Sequence, residues 1–332
     1  MYSDKRRAYI AASCEQSFKK RALAVDDVMS MYGDNLSIAD AVIDKTEKIG
    51  AYIVTYEDSE YPDTLRNIYA PPPVLYAKGD ISLLKSESVA VVGSRRPTRY
   101  GRDVTTKFTR ALAINGITVV SGMARGVDTI AHTVTLDNDG KTIAVVACGL
   151  DKVYPPENAN LMREIERRGL VISEYPIGTL PLGFRFPERN RIISGLSRGV
   201  LVTEAGRSSG SLITADYAVE QGKELYLVPG SIFSPMSEGC NERLKECGTL
   251  VTDIGDLISC NRATESREKV ALQLSFEQQS IMDMLRDGEM HFTQLIDKCN
   301  IKTDELTVLL SEMELYGLIE RTSGNYYCIA NG

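Results

Sequence analysis

Histidine and cysteine are too scarce in this chain to build a metal centre. The only two histidines in 332 residues are His132 and His291, which excludes a histidine-rich site on count. The seven cysteines, at 14, 148, 240, 247, 260, 299 and 328, are odd in number and scattered, with no CxxC pair. That pattern points to free thiols in a reducing cytosol and away from zinc. Long apolar runs are also missing: none approaches the ~18 residues of a membrane helix. Lys5, Arg6 and Arg7 precede a short apolar patch, Ala8 to Ala12, below the ~7–15 residues of a signal-peptide core. The expected location is the cytoplasm.

A net positive charge is lacking as well. The total is −7, which looks wrong for a partner of a polyanion until it is divided. Residues 275–332 hold ten Asp/Glu against four Lys/Arg, a balance of −6, which leaves the other 274 residues near −1. Within those, residues 93–110 carry Arg95, Arg96, Arg99, Arg102, Lys107 and Arg110 against Asp103 alone. Residues 183–198 carry four arginines against Glu188. For binding a polyanion the local field counts for more than the sum.

What is present is a regular pattern. Residues 1–50 show no strand alternation and read as a small helical module, with helices over 4–13, 17–32 and 37–48. From Ala51 strands appear, first 51–56 and then, after three prolines at 71–73 that forbid helix, 74–79. Strand and helix then alternate. Strands are predicted at 88–94, 117–122, 142–149, 170–175, 199–205 and 224–230, with helices at 101–114, 126–137, 158–168, 188–195 and 211–221. Continuous Val/Ile/Leu strands are those buried on both faces. Their spacing predicts an α/β fold with a doubly wound, mostly parallel sheet over 51–260, closed by 244–258. A polar linker, 261–274, follows. Residues 275–330 then read as three short helices and a hairpin around Ser323-Gly324-Asn325, the layout of a winged helix.

In open parallel sheets ligands sit at the carboxyl ends of the strands. Four loops there are candidates. GSRRPTRYG (93–101) turns at Gly93 and places Ser94, Arg95 and Arg96 at a strand end. It is no GxGxxG fingerprint, so ordinary dinucleotide binding is not indicated. SGMARGVDTIAH (121–132) spaces Asp128 and His132 four apart, on one helix face. No GxSxG motif accompanies them, so a structural hydrogen bond is the favoured role over catalysis. CGLDKVYPPEN (148–158), with Tyr154 and its two prolines, reads as architectural. TEAGRSSGSLITADYA (203–218) opens a helix with Ser209-Gly210-Ser211, which offers free N–H groups and the helix dipole to an anion. It lacks the GK[ST] ending of a P-loop, so nucleotide hydrolysis has no support there.

FPERNRIISGLS (186–197) sets Arg189, Asn190 and Arg191 beside Phe186. Guanidinium forks fit phosphate oxygens and an aromatic face takes a splayed base, so such a run can grip a nucleic-acid strand. Together with VAVVGSR, SGMARGVDTIAH, the Tyr-Pro after CGLD, SEYP (173–176), SGSLITA and VPG (228–230), it resembles the DprA/Smf family of DNA-processing proteins of natural transformation. The likeness covers roughly 51–258. It implies an extended Rossmann-like domain, flanked by the helical module and a winged helix, that binds single-stranded DNA without marked sequence preference. It also implies a homodimer through that domain, protection of incoming strands and loading of the recombinase RecA, with no enzymatic step, cofactor or metal.

Carried over by position, Gly93, Ser94, Arg95, Arg189, Asn190 and Arg191 contact phosphate and Phe186 stacks on a base. Ser209, Gly210 and Ser211 add polar contacts. Arg96 and Arg185 join on charge alone. The acidic winged helix is expected to repel DNA and to contact protein instead. The competing reading is a Rossmann-like nucleotide-processing enzyme that looks like the LOG phosphoribohydrolases. Those carry a PGGxGTxxE loop where this chain has EAGRSSGSLITA, without the Gly-Gly pair or the downstream Glu.

Overall fold

A computed structural model describes residues 2–14, 28, 36–258, 275–286, 288–299, 301–315, 318–322 and 324–329. The helix expected over 17–32, Val28 apart, and the linker 261–274 lie outside the described residues. The chain divides into two compact units, Met1–Asn261 and Arg262–Gly332.

In the first unit, helix α1 (Asp4–Ser13) starts where the Ser3 side chain accepts the Arg6 N–H, and α2 (Ser37–Lys48) follows. Both bury apolar faces in the core of the sheet, where Ala8, Ile10 and Ile43 join Ile53 and Tyr76. Ser13 Oγ meets the Tyr76 hydroxyl at 2.8 Å and satisfies that buried group.

The sheet consists of β1 (Tyr52–Thr55), β2 (Val74–Gly79), β3 (Ser88–Val92), β4 (Thr118–Ser121), β5 (Thr142–Val145), β6 (Leu170–Ser173), β7 (Gly199–Val202), β8 (Glu224–Leu227) and β9 (Thr249–Leu250). Helix α3 (Asp63–Arg66) lies between β1 and β2 in the chain. The later helices are α4 (Arg99–Ile114), α5 (Val127–Asp137), α6 (Ala159–Arg168), α7 (Arg185–Leu196), α8 (Ser211–Glu220), α9 (Glu238–Glu246) and α10 (Gly255–Ile258). Strand order is β1-β2-β6-β5-β4-β3-β7-β8-β9. All pairs from β6 to β9 are parallel, while β1 pairs with β2, and β2 with β6, antiparallel. Every residue of β3 is buried, as expected for a central strand covered on both faces.

The chain winds outward from β3 through β4, β5 and β6, then returns to the other side of β3 as β7. The crevice between the carboxyl ends of β3 and β7 is therefore the switch point at which such sheets bind ligands. The register Val92↔Val202 brings Gly93 and Thr203 side by side at its floor. The strands stop earlier than their apolar runs: β3 ends at Val92 and β7 at Val202, so the last residues of each run become buried loop. Helix α7 begins three residues before the predicted 188 and carries Pro187 in its first turn, where no backbone donor is needed.

The second unit holds α11 (Phe276–Leu285), β10 (Met290–His291), α12 (Phe292–Cys299), α13 (Thr303–Leu315), β11 (Ile319–Thr322) and β12 (Tyr326–Ile329). Ser275 and Gln278 close a capping box at the start of α11. The three strands pair as β10-β12-β11 around a core that includes Ile281, Leu295, Leu310 and Ile319. The two-residue β10 completes the winged-helix sheet and carries no periodicity that a sequence reading could detect.

Candidate nucleic-acid interface

The loop after β3 is held from three sides. The Ser94 N–H donates to the Glu204 carbonyl at 2.8 Å, and the Ser94 carbonyl accepts the Val127 N–H at 3.1 Å. Ser94 Oγ accepts the Arg96 N–H at 3.0 Å. Ser94 is thus buried and braces the loop, while Arg95 and Arg96 are exposed. Neither arginine makes an ion pair among the described residues. Gly126 makes this packing possible. Its φ is +77°, and a Cβ there would sit 2.3 Å from the Ser94 carbonyl oxygen.

The sequence-predicted residues of α7 divide between outside and inside. Phe186 is half-buried, with its ring centre 5.6 Å from the Arg95 guanidinium and 5.2 Å from the Tyr154 ring. Arg185 lies 5.2 Å from the Tyr175 ring and 5.3 Å from the Phe184 ring, and donates to the Leu180 carbonyl. Asn190 Nδ2 reaches the Gly210 carbonyl at 3.4 Å, linking α7 to the start of α8. Arg189 is 4% exposed and donates to the carbonyls of Gly122, at 2.6 Å, and Val145. Burial lowers its pKa and the charge of Asp128 works against that shift. Asp128, itself buried, accepts the N–H groups of Gly122 and Ala124 at 3.1 and 3.2 Å, and burial raises its carboxyl pKa.

Arg191 is the correction. It was expected at a phosphate, yet its guanidinium is locked inside against Glu174 at 2.6 and 3.2 Å, with side-chain exposures of 8% and 1%. Burial disfavours the Arg191 charge, and Glu174 outweighs it, so the pKa rises. This pair anchors α7 to the end of β6 and leaves no fork for a ligand.

At the amino end of α8, the hydroxyls of Ser209 and Ser211 meet at 2.8 Å, with Gly210 exposed beside them. A cavity of about 360 Å³ joins these pieces. Its lining takes in eight of the twelve predicted residues: Gly93, Arg95, Phe186, Arg189, Asn190, Ser209, Gly210 and Ser211. Ser94, Arg96, Arg185 and Arg191 are outside it. Sequence reasoning missed Asp128 and Thr214 as lining residues. It also missed Glu204, whose carboxylate accepts the Thr98 N–H at 2.8 Å and the Thr98 hydroxyl. The signal for Glu204 is a carboxylate at the end of an all-apolar strand, which must be matched to buried donors.

Asp128 and His132 do not meet. His132 Nδ1 is 2.7 Å from the Thr142 hydroxyl, and burial takes its pKa down to about 3. No cluster of His, Cys, Asp and Glu among the described residues could hold a metal ion. No described helix is long and apolar enough to cross a membrane. The cysteines in the first unit that are deeply buried, Cys148 and Cys240, have thiol pKa values pushed up by burial to about 11 and about 12.

Fold and crevice together define a Rossmann-like α/β protein that carries a winged-helix unit. The family model of DNA recombination-mediator protein A matches residues 52–262, and that of the DprA winged helix domain matches 265–325. The chain is 46% identical to DNA processing protein DprA of Streptococcus pneumoniae over 202 residues, covering 61% of this chain and 71% of the relative. It is 34% identical to protein Smf of Escherichia coli over 293 residues, covering 84% and 78%. The crystal structure of the pneumococcal protein superposes with a TM-score of 0.67 at 37% identity, over 77% of this chain and 97% of that one. A structure of DNA processing protein A from Helicobacter pylori, described for its single-stranded DNA binding mode, matches with a TM-score of 0.57 at 36% identity, over 62% and 93%. The chain belongs to the DprA/Smf family of DNA-processing proteins.

Proposed function

We propose that this protein binds single-stranded DNA in the β3/β7 crevice without marked sequence preference, protects incoming strands and loads RecA onto them. It acts as a homodimer through the α/β unit and performs no chemistry on the strand. The observation that carries the reading is the exposed Arg95, in no ion pair, on the wall of a cavity lined by Phe186 and the amino end of α8, with the exposed Arg96 next to it in the chain. Arg95 and Arg96 supply phosphate contacts, and the positive end of the α8 dipole favours a further anion. Arg189 at the cavity wall adds a positive field, and Asn190 orients the α8 loop. The likeness to a relative described with single-stranded DNA supports the choice of ligand. The acidic winged helix takes a protein contact, because its charge of −6 opposes a polyanion.

The test is fluorescence anisotropy with labelled oligo-dT and its duplex across a salt series, for the wild type and Arg95→Ala/Arg96→Ala. Preference for the single strand, weakened by salt and lost in the variant, supports the site. A folded wild type that binds no oligonucleotide at low salt sinks the reading, and a screen for nucleotide hydrolysis follows.

A further inference from the structure

Phe186 offers a base little bare surface, because the Arg95 guanidinium and the Tyr154 ring already lie against it. The more exposed rings are Tyr154, which touches it, and Phe184, two residues earlier in the chain. Phe184 is 49% exposed and Tyr154 39% exposed, and Leu180 and Leu182 add exposed apolar surface on the loop that leads into α7. This shelf is braced. Arg185 lies against the Phe184 ring and donates to the Leu180 carbonyl, which fixes the loop to the helix. Gly178 donates to Asp151 at 2.7 Å, which fixes its other end to the segment carrying Tyr154.

Aromatic faces held out to water are unfavourable unless something covers them. The shelf alternates rings with guanidiniums, Arg95 with Phe186 and Tyr154, then Arg185 with Phe184. That is the repeat of a single strand, in which phosphates alternate with bases. The carboxylates of the same segment are neutralised: Asp151 pairs with Lys152 at 3.1 Å, and Glu157 pairs with Arg125. The negative field that would repel a polyanion is therefore weak here.

We infer that the Tyr154–Phe184 shelf is a base-stacking station beside the crevice. It receives the nucleotides that leave the crevice, so the footprint runs from the start of α8 past Arg95 and Phe186 onto the shelf. This inference rests on the single-strand reading of the crevice. The shelf also selects against duplex, whose bases are already stacked and paired and have no free face to offer.

The chain contains no tryptophan, so Phe184→Trp places a sole indole on the shelf. The variant is titrated with 5′-labelled oligo-dT of about four and about twelve nucleotides, within the ~4–16 nucleotide range of single-strand sites. Label anisotropy and indole emission are read together. The longer oligonucleotide is expected to quench the indole saturably. Tyr154→Ala/Phe184→Ala is expected to lose about tenfold in affinity for the longer one and to bind the shorter as the wild type does. Binding by anisotropy with no quench, together with an unchanged affinity in the double variant, overturns the shelf and leaves the crevice standing. Emission that shifts with protein concentration in the absence of DNA assigns the shelf to a second copy of the chain and overturns it too. If the wild type binds neither oligonucleotide, the single-strand reading fails and the shelf fails with it.

Discussion

The Glu204 carboxylate and Thr98 are joined twice, through the Thr98 N–H at 2.8 Å and through its hydroxyl. Glu204 sits just past β7 and is buried, whereas Thr98 caps α4 by accepting the Gly101 N–H at 3.1 Å. One residue therefore ties both ends of the Ser94–Thr98 loop to the neighbouring strand: its carboxylate holds Thr98 and its main-chain carbonyl holds Ser94, so only the Thr98 end depends on the side chain. Glu204→Ala leaves buried donors unpaired, each costing about 1–3 kcal/mol. We expect a melting temperature lower by several degrees, at ~2–4 °C per kcal/mol for a unit of this size. We also expect weaker oligo-dT binding, because the loop that carries Arg95 and Arg96 loses its hold at Thr98. Calorimetry and anisotropy on the same preparation check this. An unchanged affinity in a destabilised variant would show that the arginines need no such support.

Arg191 and Arg95 are both arginines near one helix, yet they predict opposite phenotypes. Removing Arg191 leaves the Glu174 carboxylate buried and unpaired, a loss of about 3–5 kcal/mol. Replacing both partners, Glu174→Gln with Arg191→Met, should recover much of that loss. Arg95 is exposed and in no ion pair, so Arg95→Ala should leave stability within about 0.5 kcal/mol while lowering affinity for single strands. Urea denaturation and anisotropy separate the two. If Arg191→Ala keeps its stability and loses binding, its guanidinium reaches phosphate after all.

The sheet was legible because its strands are buried on both faces, and burial of that kind writes itself as unbroken apolar runs such as VAVV and LVIS. The loops were legible because glycine and arginine at strand ends have few structural uses. The fate of each arginine was not. FPERNRIISGLS shows three charged side chains within four residues, and nothing local tells Arg191, whose partner Glu174 lies 17 residues earlier, from an exposed neighbour. The carboxylate in SEYP was half of that answer, visible once β6 and α7 are placed side by side. The start of α7 was misread because Pro187 looks like a boundary, although a proline in the first turn costs nothing. Tyr154 was read as architecture, and its contact with Phe186 spans 32 residues that no periodicity connects.

His132 should make the protein acid-sensitive. Its imidazole is buried, its Nδ1 bonds the Thr142 hydroxyl, its Nε2 is unpartnered, and the nearby Arg189 also opposes a second charge. The pKa falls to about 3, against about 6.5 in the unfolded chain. Between those values the unfolded state binds more protons, so this group's contribution to stability is lost as the pH falls through that window. Asp128 acts in the opposite sense, since burial raises its pKa and its ionisation costs stability as the pH rises. His132→Gln should therefore flatten the decline in unfolding free energy between about pH 6.5 and pH 3 relative to the wild type. Parallel profiles for the two proteins would contradict a neutral buried imidazole.

Salt dependence reports which charges face the strand. Each phosphate neutralised contributes about −0.7 to the log–log slope for a single strand. Arg95→Ala and Arg96→Ala should each shallow the slope by about that amount, whereas Lys107→Ala, on an outer turn of α4, should not. The same series tests the second unit. Residues 259–332 carry a surplus of five negative charges, which does not favour a polyanion, so a chain ending at residue 258 should keep both the affinity and the slope of the full chain. A shallower slope on truncation would mean that one of the seven Lys and Arg residues removed touches phosphate despite the acidic balance of the stretch. A steeper one would mean that the carboxylates of the tail screen the arginines of the crevice, and that whatever protein draws the tail away also raises the affinity for DNA.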